Sequence, residues 1–282
     1  MDAAAYDPGM DPAPVVRVGV VARPQLPPER LPDAARAAEA ADVDDLWLWE
    51  DSFWSGGVVT SALALDATST VRVGLGLMPA PLRHPALAAM EVAALSRRHP
   101  GRFVPAFGHG VREWMQSAGA AVASPLTLLR EYASAVRALL HGEEVTVQGR
   151  YVRLDGVRLS LPPDPDAVPP VLLGANGPKA LALAGEIADG VVLGDVPTPD
   201  AVASAVRFVR EARASSPLAG HGLHVVGYVE PAADAAAQAV DLVAAGMTAV
   251  VFTRWEGDAD PRLLFPAAAA ARAALSLGGR AT

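Results

Sequence analysis

Short apolar segments alternate with longer helix-forming segments along most of the chain, and this alternation restricts the fold more than any other feature. Apolar runs without helical spacing predict buried strands. There are eight of them, at 15–22, 46–49, 71–79, 103–107, 170–176, 190–194, 224–229 and 249–252. Strands this apolar require cover on both faces, and eight strand–helix units close into a barrel. The sequence therefore predicts an α/β fold, a (β/α)8 TIM barrel.

A doubly wound sheet is the alternative architecture. Its nucleotide-binding fingerprint would follow the first strand. The sequence there is VGVVARPQLPP, which is not that fingerprint. The barrel is therefore the preferred interpretation.

The alternation is interrupted once, between the fourth and fifth predicted strands. Ser124 and Pro125 are typical of a helix N-terminus, and apolar residues at helical spacing continue to Gly142. Residues 145–147 and 151–154, around Gln148-Gly149, predict a β-hairpin outside the main sheet, and a proline-rich linker at 160–170 leads back. We expect a helix plus β-hairpin insertion at about 120–165 in a single domain of residues 15–282, preceded by a flexible tail, residues 1–14.

Composition and charge argue against several classes of function. The formal net charge of −8 disfavours a nucleic-acid partner, which would require a basic face. The chain has no cysteine, so it has neither disulfides nor thiolate chemistry. No apolar run approaches the roughly 20 residues that cross a membrane, and the first residues, MDAAAYDPGMDPAP, lack the basic and apolar regions of a signal peptide. We expect a cytoplasmic protein whose partner is a small molecule.

Binding and catalytic groups of such a barrel lie at the carboxyl ends of its strands. The candidates are the residues at the ends of predicted strands 2 to 5. They are Glu50, Asp51, Ser52 and Trp54; Gly74, Gly76, Leu77 and Met78; Gly108, His109, Gly110, Arg112, Glu113 and Trp114; and Gly174, Ala175, Asn176, Gly177 and Lys179.

These residues suit a large flat ligand with an anionic tail. The turns GHG and GANGPK each lead into a helix N-terminus, whose backbone N–H groups favour a phosphate, and Lys179 could add a positive charge. Leu77, Met78, Trp54 and Trp114 could form an apolar slot for a ring system. Plainer explanations stay open: Asp51 caps a helix, the tryptophans pack at the rim, and Gly76 only allows close strand packing.

Other site chemistries lack their sequence patterns. No HExxH motif is present, and His221 and His224 have no plausible third ligand nearby, so we expect no metal site. The chain has no GxSxG elbow, and GANGPK lacks the spacing of a P-loop.

Four segments resemble the luciferase-like monooxygenase family, and within it the coenzyme F420-dependent oxidoreductases. They are LWLWEDSF, VGLGLMPAPLRHPALAAMEVAALSRRHPGRFVPAFGHG, LREYASAVRALLHGEEVTVQGRYVRL and PVLLGANGPKALALAGEIADGVVLG. Together they extend over residues 45–195 in the family's order. The resemblance implies a barrel that binds a flavin or 5-deazaflavin, with the ring resting on a backbone bulge at the end of strand 3. It also implies a non-proline cis peptide at Gly76-Leu77 or Leu77-Met78, and a homodimer.

The resemblance implies coenzyme F420 as the cofactor, with Asp51, the strand 3 residues and the two glycine turns as its binding residues. Sugar-phosphate dehydrogenases of this branch carry SDHF at strand 2 and a Glu after the GxG turn, where this chain has Ser52 and Val111. That specific activity is therefore not expected. His109, Glu113 and Ser52 are the catalytic candidates, although His109 could equally serve only to order its loop.

Three functions are consistent with the sequence. The first is hydride transfer between a deazaflavin and a small organic substrate. The second is an FMN-dependent monooxygenase of the same family, and the third is a non-catalytic barrel that binds the cofactor. The sequence does not identify the substrate.

Overall fold

A computed structural model describes residues 15–194 and 198–278. Eight parallel strands form a closed barrel, which confirms the predicted TIM barrel. The strands are β1 (Arg17–Ala22), β2 (Asp45–Leu48), β3 (Arg72–Pro79), β4 (Phe103–Gly108), β7 (Leu172–Gly174), β8 (Gly190–Leu193), β9 (His224–Val229) and β10 (Ala249–Phe252). The predicted tail, residues 1–14, lies outside the described residues.

Helices cover the outside of the barrel. They are α1 (Leu31–Ala40), α2 (Gly57–Asp66), α3 (Pro85–Arg98), α4 (Arg112–Ser117), α5 (Pro125–Leu140), α6 (Pro178–Ile187), α7 (Pro199–Arg213), α8 (Ala235–Ala244) and α9 (Phe265–Gly278). No helix in the described ranges is both long and apolar enough to pass through a membrane.

The strands succeed one another around the barrel in chain order, and β1 pairs with β10 to close it. The register between β3 and β4 shifts between Leu75 and Met78, so β3 carries a bulge near its carboxyl end. The peptide bond Gly76–Leu77 in this bulge is cis, which confirms one of the two expected positions.

The predicted insertion lies between β4 and the fifth barrel strand, β7. It follows α4 and contains α5 and a two-stranded antiparallel hairpin of β5 (Val145–Gln148) and β6 (Arg153–Val157). The hairpin is fastened to α5 because the Glu131 carboxylate accepts hydrogen bonds from the backbone N–H groups of Arg150, Tyr151 and Val152, at 2.8–2.9 Å.

The barrel interior is a packed core. Alternate residues of the strands point inward, among them Trp47, Val104, Leu172, Val226 and Val251. At the amino ends of the strands, the buried Asp45 carboxylate accepts two hydrogen bonds from Arg72, each at 2.8 Å. A cavity of about 170 Å³ lies at this end, beside Arg17 and Arg72, and a cavity of about 610 Å³ lies toward the carboxyl ends.

Candidate active site

A cavity of about 610 Å³ lies at the carboxyl ends of the barrel strands. Its volume is within the range of sites for small molecules and cofactors. The structure brings ten of the predicted cofactor-binding and catalytic residues together in its lining. They are Asp51, Gly76, Leu77, Gly108, His109, Gly110, Gly174, Ala175, Asn176 and Gly177.

The other three predicted cofactor-binding or catalytic residues lie outside the cavity lining. The Met78 side chain is buried in the core and is 1% exposed. Ser52 is also buried, and its hydroxyl has no hydrogen-bond partner among the described residues. Glu113 is exposed in the first turn of α4. The roles predicted for these three side chains stay predictions.

The apolar slot expected from the sequence has a different composition. Trp114 and Leu77 line the cavity, whereas Trp54 is 56% exposed and does not. Lys179 is exposed and is also absent from the lining. The positively charged side chain that does line the cavity is Arg112 of α4. Position in the chain directly after a strand was therefore insufficient to predict which side chains face the ligand space.

The bulge of β3 forms the floor of the cavity. A Cβ atom at Gly76 would lie 2.5 Å from the Tyr228 hydroxyl oxygen, so only glycine fits there without a shift. The Leu77 side chain packs against Gly108 and Gly174, where added Cβ atoms would collide with it. Gly76 thus leaves room for the Tyr228 side chain and also lies on the cavity wall.

The two glycine turns form one side of the cavity. Gly174–Gly177 leads into the ten-residue helix α6, for which Gly177 is the N-cap without a side-chain cap. Asn176 Oδ1 accepts a hydrogen bond from the Gly194 backbone N–H at 3.1 Å, which joins the turns after β7 and β8. A helix start without a side-chain cap presents backbone N–H donors to an anion.

The second turn, Gly108–Gly110, leads into the short helix α4. His109 Nδ1 lies 2.7 Å from the Gly110 carbonyl oxygen, so its ring is protonated at Nδ1 and donates to that oxygen. This contact supports the loop-ordering role of His109. Its exposed ring also lines the cavity, so a contact with a ligand is compatible with the same geometry.

Two carboxylates on the loop after β2 have different environments. Glu50 accepts hydrogen bonds from both terminal nitrogens of Arg83, at 2.8 and 2.9 Å. Asp51 has no such bidentate partner among the described residues. Burial raises the pKa of Asp51, and the nearby Arg23 guanidinium offsets part of this effect. The Asp51 carboxyl group therefore keeps its proton to a higher pH than an exposed aspartate does.

Aromatic side chains form the remaining wall. Trp49 and Trp255 are stacked, with ring centroids 5.2 Å apart and an interplanar angle of 28°. Tyr228 lies beside Trp49, at a centroid distance of 5.5 Å. Sequence reasoning missed the placement of all three in the cavity. The signal available was an aromatic residue at or just past the carboxyl end of β2, β9 and β10.

Arg23, at the carboxyl end of β1, fixes part of this wall. Its guanidinium donates hydrogen bonds to the carbonyl oxygens of Trp255, at 2.7 Å, and Gly257. The side chain is buried, at 7% exposed.

Within the described ranges, no group of three His, Asp or Glu side chains is arranged to hold a metal ion.

Two relatives with known activities are similar to the chain over about two thirds of its length. The 5,10-methylenetetrahydromethanopterin reductase of Methanolobus tindarius is 29% identical over 177 residues, which cover 62% of this chain and 53% of that protein. The F420-dependent glucose-6-phosphate dehydrogenase of Nakamurella multipartita is 33% identical over 195 residues, which cover 64% and 56%. The chain spans about half the length of the curated relatives it matches.

Solved structures share the fold. The coenzyme F420-dependent tetrahydromethanopterin reductase of Methanopyrus kandleri superposes with a TM-score of 0.74 at 19% identity, over 91% of this chain and 97% of that one. An F420-dependent secondary alcohol dehydrogenase in complex with an F420-acetone adduct gives a TM-score of 0.76 at 18% identity, over 92% and 99%. The model of the luciferase-like monooxygenase family matches residues 14–278. The chain therefore belongs to the luciferase-like monooxygenase family.

Proposed function

We propose that this protein is an oxidoreductase that binds coenzyme F420 in the cavity and transfers a hydride to or from a small organic substrate. The observation that carries the proposal is the cavity of about 610 Å³ with the β3 bulge as its floor and two glycine turns along one side. The relatives named above support it, because their names state dependence on F420 or a tetrahydromethanopterin reductase activity.

The residues present fit a flat cofactor with an anionic tail. Gly177 has open space where a Cβ would lie, so its backbone is accessible to a bulky group. The start of α6 supplies donors for phosphate, and Leu77 on the bulge supplies an apolar surface for the ring. Arg112 adds one positive charge to the lining.

The deazaflavin would supply hydride chemistry at its C5 atom, and the protein would supply binding, orientation and exclusion of water. Asp51 and His109 are the lining groups that we assign to proton transfer at the substrate. Asp51 suits this role because burial raises its pKa toward the working range of a general acid. Glu50 is less suited, because Arg83 holds both of its oxygens.

FMN is the alternative cofactor. It is favoured by structural neighbours such as the oxygenating constituent of 3,6-diketocamphane monooxygenase in complex with FMN, which has a TM-score of 0.61 at 17% identity. Calorimetric titration of the purified protein with F420 and with FMN tests the choice. Tighter binding of F420 supports the proposal, and binding of FMN alone would replace it with the monooxygenase. A protein that binds F420 but oxidises or reduces no organic compound would instead be the non-catalytic barrel.

We also propose that the protein is a homodimer. Neighbouring helices α2 and α3 expose four apolar side chains, Val59, Leu63, Leu87 and Met90, which we call the α2–α3 surface. Contiguous exposed apolar residues mark interaction sites more often than free surface. A second copy of the chain, with the same surface, would cover it through a twofold axis.

A further inference from the structure

The aromatic wall of the cavity lies across the barrel from the proposed cofactor-binding turns. The glycine turns follow β4 and β7, which are adjacent strands. Trp49, Tyr228 and Trp255 belong to β2, β9 and β10 or to the loops directly after them, near the point where β1 closes the barrel. A ligand that reaches across the cavity from the glycine turns therefore meets this wall.

Contacts within the protein hold the wall in place. Trp49 and Trp255 are already stacked, and the buried Arg23 guanidinium holds the Trp255 backbone at its carbonyl oxygen. Preformed aromatic surfaces bind with a smaller loss of conformational entropy than mobile ones. They favour flat rings, because ring faces stack in offset or tilted arrangements.

The polar atoms of Trp49 and Tyr228 are turned away from the ligand space. Trp49 Nε1 is buried, with the Tyr228 hydroxyl beside it. The Tyr228 hydroxyl donates a long hydrogen bond, 3.4 Å, to the Gly76 carbonyl oxygen. These two side chains therefore offer a ligand the apolar surface of their rings.

The positions of the positive charges disfavour an anion at the wall. The positively charged side chain in the lining, Arg112, follows β4 on the side of the glycine turns. The Arg23 guanidinium behind the wall already donates to the carbonyl oxygens of Trp255 and Gly257, and a buried carboxylate or phosphate needs a positive partner.

We propose that Trp49, Trp255 and Tyr228 form the substrate platform, and that the substrate is a flat, uncharged ring compound. This inference rests on the proposed function, because it names the substrate class of the same site.

Coumarin is a suitable probe, since it is flat, uncharged and carries a carbonyl. Octahydrocoumarin keeps the carbonyl without the flat ring, and coumarin-3-carboxylate adds a negative charge. We expect calorimetry on the F420-loaded protein to give about tenfold tighter binding for coumarin than for either comparison compound, the scale of one aromatic stacking contact. Trp255→Leu should abolish the preference. Trp54→Leu is the matched control, because Trp54 is exposed and outside the cavity lining.

Equal affinity for coumarin and octahydrocoumarin overturns the inference, as does a preference that survives Trp255→Leu. Titration of the same samples with F420 separates this failure from failure of the proposed function. A protein that binds F420 but shows no coumarin preference contradicts the platform alone. A protein without F420 affinity contradicts the proposed function. The platform is then tested by titrating the wild-type and Trp255→Leu proteins without F420. Equal affinity for coumarin and octahydrocoumarin, or a coumarin preference that survives Trp255→Leu, again overturns the platform.

Discussion

Gly177→Val tests whether the turn after β7 holds the cofactor. Gly177 is the N-cap of α6, with φ −102° and ψ 158°, a conformation that valine adopts readily, and it precedes Pro178, which favours the same region. Nothing lies within 4 Å of a Cβ atom built there. The substitution therefore adds bulk at the cavity without strain within the described structure.

Gly56→Val is the matched control. Gly56 is also the N-cap of a ten-residue helix, α2, has φ −64° and ψ 125°, and has no atom within 4 Å of a built Cβ. It does not line the cavity. Each substitution should cost about 1 kcal/mol or less of stability, since valine caps a helix less well than glycine. The midpoint of thermal unfolding should fall by about 2–4 °C in both variants.

The two variants should differ in ligand affinity. If valine blocks one hydrogen bond from the turn to a phosphate, the loss is about 1.5–3 kcal/mol. This corresponds to a roughly 10- to 150-fold larger dissociation constant. Calorimetric titration with coenzyme F420 measures it. Unchanged affinity in Gly177→Val, or an equal loss in Gly56→Val, would refute the assignment of this turn.

The other glycine turn does not allow the same comparison. Gly110 has φ +74°, where a β-branched side chain is strained, and its Cβ would lie 2.8 Å from Met115 Sδ. Gly110→Val therefore perturbs the fold as well as any ligand contact.

Three further predictions concern pH, the insertion and assembly. Burial raises the pKa of the Asp51 carboxyl group. Its contribution to stability is therefore present below the unfolded pKa of about 3.9 and is lost as pH rises through the higher folded pKa. Thermal scans should show Asp51→Asn becoming more stable relative to wild type between pH 4 and pH 8, and a difference that stays constant with pH contradicts this. Glu131→Ala removes three backbone hydrogen bonds and should lower the free energy of unfolding in urea by about 1–3 kcal/mol. Replacement of the exposed Glu143 by alanine should change it little. Equal effects of the two substitutions would contradict the anchoring role of Glu131. Met90→Glu on the α2–α3 surface should convert the dimer to a monomer in sedimentation, whereas Val240→Glu on α8 should not; a monomeric wild type contradicts the dimer.

The barrel could be predicted because buried parallel strands are unbroken apolar runs in sequence. Element ends were less predictable, since they depend on single hydrogen bonds. Pro231 is a residue type common at helix starts, but α8 begins only at Ala235, because the Asp234 side chain accepts a hydrogen bond from the Ala237 N–H at 2.9 Å. Pro261 opens a 3-10 turn instead, and α9 begins at Phe265.

The glycine side of the site could also be predicted, because glycine turns are local in sequence. The aromatic wall could not, since Trp49 and Trp255 meet only through closure of the barrel between β1 and β10. The same holds for Glu50 and Arg83, which are 33 residues apart and pair through the packing of β2 and β3. Met78 was predicted beside Leu77, but successive residues at the bulge point in different directions, and Met78 enters the core.

The most direct test of the central claim is the dissociation constant of coenzyme F420, measured by calorimetry beside FMN. We expect a dissociation constant of about 10 μM or lower for F420, equivalent to about −7 kcal/mol or better, with weaker binding of FMN. Gly177→Val should weaken this binding, and Gly56→Val should leave it unchanged. No heat of binding for F420 with a folded wild-type protein, or tight binding of FMN in its place, would contradict the proposed cofactor.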